Sequence, residues 1–161
     1  MKNKHLILLH LLDQQLTLGA VESVTGGLFA SSAVDIKGAS RVFKGSLVTY
    51  ATSVKEEVAK VDPELIKQYG VVSGKTALAM AKNGQKILNV DYCIAFTGNA
   101  GPTVQENKPV GDIYIALAYK DLAIVEFYNF QGTRNSIRKQ AIEKGWEMIK
   151  RVLIDYSSAN L

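Results

Sequence analysis

Histidine is nearly missing from this chain. The 161 residues hold two, His5 and His10, both close to the start. A histidine-based triad or a multi-histidine metal site finds no donors along the rest of the sequence. The motifs CxxC, HExxH and GxxxxGK[ST] do not occur either. Cysteine appears once, as Cys93 in "DYCIAF". A single thiol excludes an internal disulfide and fits a reducing compartment, so a cytoplasmic location is expected. In a strand-like segment that thiol reads as an inert core group rather than a reactive one. Long apolar runs are missing too, since none reaches the roughly 18 residues a membrane helix requires. "HLILLHLL" is short, carries both histidines and lacks a small-residue cleavage site, so it reads as a first amphipathic helix rather than a signal peptide. Neither sign of charge is massed. Lys and Arg number 19 against 15 Asp and Glu, a formal net charge of +4. That balance suits a small anionic ligand better than a DNA-wrapping surface, and neither nucleic acid nor membrane is expected as a partner. An enzyme of this composition draws its base from Lys, Tyr or a carboxylate.

What is present is an ordinary globular composition, 47% hydrophobic and 21% charged. The length suits one domain over residues 1–161 with a sizeable core. No repeat, linker or low-complexity segment interrupts it. Periodicity predicts a helix over 4–15, a strand over 16–22 and a helix over 26–35. "RVFKGSLVTY" reads as a strand, and 53–60 as a helix with Ser53 as candidate cap. A short helix begins at Pro63 and stops at Gly70, and Ser73 caps another running to about residue 88. "DYCIAFTG" is a strand that leads into the loop "TGNAGPTVQENKPVG". "DIYIALAY" and "LAIVEFYNF" form a hairpin joined by "KD". "TRNSIRKQAIEKGWEMIKRVL" is a long amphipathic helix with Ile137, Ala141, Met148 and Val152 on one face. Strands alternating with helices and ending in a hairpin predict a three-layer α/β/α sandwich with a mixed β-sheet. In such sheets ligands bind beyond the carboxyl ends of the strands, where two glycine-rich turns fall.

The first of these turns, "ESVTGG", puts Ser23 between a strand and a helix. Ser23 reads as a helix cap, an anion binder or a nucleophile. Thr25 can also cap, and Gly26 and Gly27 let backbone amides approach an anion or oxyanion. Lys55 opens the helix after "SLVTY"; it acts as a base only if burial or nearby positive charge lowers its pKa, and otherwise it is a solvated helix lysine. Tyr50 either holds Ser23 or Lys55 through its hydroxyl or simply packs at the strand end. The second turn, with Thr97, Gly98 and Gly101, reads as a plain turn or as a place of close ligand approach. Lys108 faces either pocket or solvent. Arg134 and Arg138 lie i, i+4 on one helix face, as a phosphate clamp or a solvated basic patch.

Taken in order, "ESVTGG", "KGASRVFKGSLVTYATSVK", "YGVVS", "TGNAGP", "KPVG" and "GTRNSIR" resemble the CinA C-terminal domain family over nearly the whole chain. The family's enzymatic members are nicotinamide-nucleotide amidases. The resemblance implies an anticodon-binding-domain-like fold and a metal-free Ser/Lys amidase without a cofactor. Its substrate would be nicotinamide mononucleotide, hydrolysed to nicotinate mononucleotide and ammonia. It implies Ser23 as nucleophile, Lys55 as base and Tyr50 in support. Ser40, Thr97 and the glycines would line the pocket, and an arginine of "GTRNSIR" would hold phosphate. A homodimer is expected by the same resemblance. The alternatives are a non-catalytic nucleotide-binding or interaction module linked to competence and DNA damage, and an amidase with another substrate. The chain departs from the family pattern at Val24, where Cys is usual, and at Asn99, where Ile is usual. "TVQENKPVG" lacks the usual Asp-Gly-Gly, which predicts a reshaped loop.

Overall fold

In the computed structural model the backbone is described for residues 2–159 and the side chains for residues 4–154. Among the described residues six α-helices and five strands follow in the order α1 (Lys2–Asp13), β1 (Leu18–Glu22), α2 (Leu28–Val34), β2 (Phe43–Val48), α3 (Thr52–Glu57), α4 (Pro63–Tyr69), α5 (Gly74–Leu88), β3 (Tyr92–Gly98), β4 (Asp112–Tyr119), β5 (Leu122–Asn129) and α6 (Arg134–Ala159). The strands make one mixed sheet in the order β2-β1-β3-β4-β5. β2, β1 and β3 are parallel, and β4 and β5 form an antiparallel hairpin whose β4 runs against β3. The expected α/β sandwich with a mixed sheet is therefore the observed one.

Period-two burial explains the layering. Leu18, Ala20, Ile94, Phe96 and Ile115 enter one core with α1, α2 and α6, where Phe29 stacks on Trp146 at 4.6 Å. Val21, Cys93, Ala95 and Ala116 point the other way, onto Ala77, Met80 and Ala81 of α5. Gly84 lets α5 approach the sheet, because a Cβ there would lie 2.3 Å from Val21 Cγ2. Cys93 is fully buried in this layer, and burial pushes its thiol pKa up, as an inert core group requires. Local signals hold at several ends. Asp62 caps α4 ahead of Pro63, and the Ser73 hydroxyl accepts from Thr76 N–H at 3.1 Å. Ser53 does not cap α3. That helix starts one residue earlier, with Ala51 at the cap position and no side-chain bond. The expected strand over 41–50 is shorter, since residues 39–41 close a 3-10 turn before β2.

Order β2-β1-β3 places two crossovers on opposite faces. The β1–β2 connection carries α2 on the α6 side, and the β2–β3 connection carries α5 on the other. Between the carboxyl ends of β1 and β3 the connections part, leaving the crevice where open α/β sheets bind ligands.

Candidate functional site

Ser23 sits at that crevice, one residue past β1, and is 8% exposed. Its N–H donates to Phe96 O at 3.0 Å, which ties it to β3. On its other side Thr49 N–H donates to Glu22 O at 2.8 Å, which ties β1 to the end of β2. The registers Glu22↔Val48 and Glu22↔Phe96 set Ser23, Thr49 and Thr97 side by side across three parallel strands, all on the α5 face. Thr97 Oγ1 donates to Val71 O at 2.7 Å. Thr49 Oγ1 and Thr25 Oγ1 are buried with no partner. Buried hydroxyls are ordinarily hydrogen-bonded, so these two stand out among the residues around Ser23.

Ser23 is not a helix cap. The residue preceding it does that work. Glu22 is fully buried, and its carboxylate accepts from Gly27 N–H and Phe29 N–H at 3.0 Å, from Ala30 N–H at 2.9 Å and from Ser46 Oγ at 3.0 Å. The free amides that open α2 are thereby satisfied from the strand. Gly26 and Gly27 serve this turn with left-handed backbones, φ 55° and 93°. Their amides are engaged internally, Gly26 N–H with Ser23 O and Gly27 N–H with Glu22. The unengaged donors beside the serine are instead the N–H groups of Val24 and Thr25, which form no hydrogen bond among the described residues. Sequence reading missed Glu22. A strand-terminal carboxylate carries no capping signal until the helix amides are known to fold back onto it.

Lys55 is 2% exposed, although α3 is a short surface helix. Its ammonium donates to Thr49 O at 2.8 Å and lies 3.5 Å from Tyr50 O. Burial lowers its pKa from 10.5 to about 8, and the Glu106 carboxylate pulls weakly the other way. Thr49 is Ser23's lateral neighbour, so the ammonium is tied to the strand end beside the serine; no hydrogen bond joins the two side chains among the described residues. The Tyr50 hydroxyl is turned outward and accepts from Arg134 Nη2 at 3.0 Å. Tyr50 thus meets Lys55 through its carbonyl and Arg134 through its phenol.

The two arginines do different things. Arg138 is spent on the β1–α2 turn, donating from Nε to Val24 O at 3.2 Å and from Nη2 to Thr25 O at 2.6 Å. Arg134 joins Gly101 O at 2.7 Å to the Tyr50 hydroxyl on an exposed rim. Gly98 is small for packing, as a Cβ would lie 2.3 Å from Asp112 O. Ser40 lies apart from this group. It precedes β2, whose first residue pairs with Leu18, so it stands exposed at the amino end of the parallel strands. Among the described residues no three His, Cys, Asp or Glu side chains gather as metal ligands, and no helix is long and apolar enough to cross a membrane.

Fold and crevice together define an open-sheet α/β protein with a serine and a buried lysine at the carboxyl ends of its parallel strands. Its sequence matches the CinA C-terminal domain model over residues 2–153, and the chain belongs to that family. It is 44% identical over 149 residues to a competence-damage inducible protein of Oceanobacillus iheyensis, covering 92% of this chain and 36% of that protein. A similarly named protein of Listeria monocytogenes is 40% identical over 144 residues, covering 89% and 35%. The chain thus spans about a third of the length of these curated relatives. The crystal structure of the competence/damage inducible protein CihA of Agrobacterium tumefaciens superposes with a TM-score of 0.90 at 28% identity, covering 93% of both chains. A CinA superfamily protein of Klebsiella pneumoniae shares the fold at TM-score 0.93 and 21% identity, over 96% of this chain and 97% of that one.

Proposed function

We propose that this chain hydrolyses the carboxamide of nicotinamide mononucleotide, giving nicotinate mononucleotide and ammonia. The observation that carries the reading is Lys55, a buried lysine of depressed pKa whose ammonium is held on the Thr49 carbonyl, at the strand end beside a serine that caps nothing. A neutral lysine amine has two N–H donors and one lone pair. The carbonyls of Thr49 and Tyr50 take the two donors and leave the lone pair to accept the Ser23 proton. Ser23 Oγ then attacks the carboxamide carbon, and the Val24 and Thr25 amides receive the charge on its oxygen. Lys55 passes its proton to the departing nitrogen as ammonia leaves. Water, deprotonated by the same amine, cleaves the acyl ester, freeing nicotinate mononucleotide and restoring the Ser23 hydroxyl. Arg134 on the rim receives the phosphate, while Arg138 holds the turn that carries the nucleophile.

The test is ammonia release by purified protein from nicotinamide mononucleotide, nicotinamide riboside and nicotinamide, with Ser23→Ala alongside. The mononucleotide should be the preferred substrate, and the alanine variant should fold normally without turnover. Release from none of the three would leave the chain a binding module. Near-normal turnover by Ser23→Ala would remove the nucleophile.

A further inference from the structure

The hydrogen bonds of the loop between β3 and β4 form one device. Asn99 is 4% exposed. Its amide nitrogen donates to Gln105 O and Lys108 O, both at 3.1 Å, and its oxygen accepts from Gln105 N–H at 3.0 Å. Braced this way, residues 105–108 close a tight turn with Lys108 N–H on Gln105 O at 3.2 Å. Both central residues are left-handed, Glu106 at φ 59° and Asn107 at φ 54°. Glutamate is a poor choice for that backbone, and the contacts of its side chain offset the strain. Its carboxylate accepts from Val71 N–H at 2.6 Å, from Val72 N–H at 3.1 Å and from Lys108 Nζ at 3.1 Å. Gly70 leaves the space, because a Cβ there would lie 2.4 Å from Glu106 Oε2. The clamped segment touches the site directly, as Val71 O receives the Thr97 hydroxyl and the residue before Thr97 receives the Ser23 N–H.

We propose that Glu106 is a positioning residue of the candidate site: carried on the turn that Asn99 braces, it fastens the Val71–Val72 backbone over Thr97 and sets a fixed negative charge near Lys55. The proposal rests on the amidase reading for its kinetic consequence alone. Other charges surround the lysine. Glu56 and Glu57 follow it on α3, Lys108 is paired with Glu106, and Arg134 is held by Tyr50 and Gly101. The Glu106 carboxylate acts on Lys55 in the direction opposite to burial. A negative charge favours the ammonium form, so Glu106 makes the buried amine a stronger base than its burial alone allows. The buried amide at 99 thus shapes the loop that delivers the carboxylate.

The test follows Lys55 directly, by NMR of the protein labelled with 13C,15N-lysine and titrated with pH, its signal assigned by its loss in Lys55→Arg. Glu106→Gln keeps the side chain's size and removes its charge. Lys55 should then titrate at lower pH than in wild type, and Asn99→Ala should move it the same way by releasing the turn. The double variant should move it no further than Glu106→Gln alone, since both act through one carboxylate. With nicotinamide mononucleotide as substrate, the acidic limb of kcat/KM should shift in parallel. An unmoved Lys55 titration in folded Glu106→Gln overturns the proposal. If that variant does not fold, an unmoved titration in Asn99→Ala does so. Should Lys55 shift while the mononucleotide is not hydrolysed, the positioning role stands and the amidase reading falls.

Discussion

Replacing Lys55 with methionine should make the protein more stable at neutral pH while removing the proposed base. Lys55 is 2% exposed, and burial takes its pKa from 10.5 to about 8. A tenfold change in proton affinity is worth about 1.4 kcal/mol, so holding the proton at pH 7 costs the folded chain about 3 kcal/mol. Methionine fills nearly the same volume without charge. It gives up the hydrogen bond to Thr49 O, worth about 1 kcal/mol or somewhat more with the carbonyl left buried. The balance is a gain of about 1–2 kcal/mol at pH 7, or about 2–8 °C in Tm for a chain of this size. The pH dependence carries the sharper signature. Between the folded pKa and the unfolded one, the unfolded wild type binds more protons, so wild-type stability rises with pH across that window. The advantage of Lys55→Met should shrink by about 1–2 kcal/mol between about pH 7 and about pH 9.5, as the slope of linkage requires. Urea unfolding followed by circular dichroism at both pH values measures the gap. A gap that stays constant across the range would mean that Lys55 is not titrating from a desolvated site, and the base mechanism would lose its support.

Lys55→Arg should be nearly as inactive as Lys55→Ala toward the mononucleotide, because a guanidinium stays protonated at working pH; substantial turnover by the arginine variant would make the lysine an electrostatic aid only. Wild-type kcat/KM should rise with pH through a group near the folded Lys55 value of about 8, and a profile flat across that region would contradict a lysine base. Arg134→Ala should raise KM for the mononucleotide by about tenfold, as loss of a charge-assisted contact implies, with little change for the riboside. Arg138→Ala should depress turnover of both alike because it holds the Val24 and Thr25 carbonyls, and the reverse pattern would exchange the two roles. Gly84→Ala should destabilise by about 1–3 kcal/mol through overpacking, since its Cβ meets Val21 and Cys93, and an unchanged urea midpoint would deny that close approach.

How far the sequence reached differs between fold and site. Alternation of strand and helix periods, the Pro63 and Gly70 stops, the Ser73 cap and the hairpin turn at Lys120–Asp121 were readable because they depend on neighbours within a few residues. The helix over Gly74–Leu88 and the paired strands over Asp112–Tyr119 and Leu122–Asn129 follow from those local signals. Ser53 was misread for the same reason. A hydroxyl near a helix start is a local signal, but the helix began at Thr52, placing Ala51 at the cap.

The site divides along the same line. Composition established which groups were available, with two early histidines and one cysteine leaving Lys, Tyr or a carboxylate as base, and the family resemblance singled out Ser23 and Lys55 as the candidate pair. They could not tell a solvated lysine from a buried one, because the burial of Lys55 depends on how its helix folds back onto the Thr49 and Tyr50 carbonyls, 6 and 5 residues earlier. Nor could they divide the labour of Arg134 and Arg138, which share a helix face yet meet different loops. Three-dimensional packing was needed to make Glu22 the cap of α2, to leave the Ser23 hydroxyl free of that task, and to put Ser40 at the far end of the sheet. Hydrogen-bond partners and desolvation depend on which atoms are adjacent in space, and for these residues the partners lie 5 to 114 positions apart in sequence.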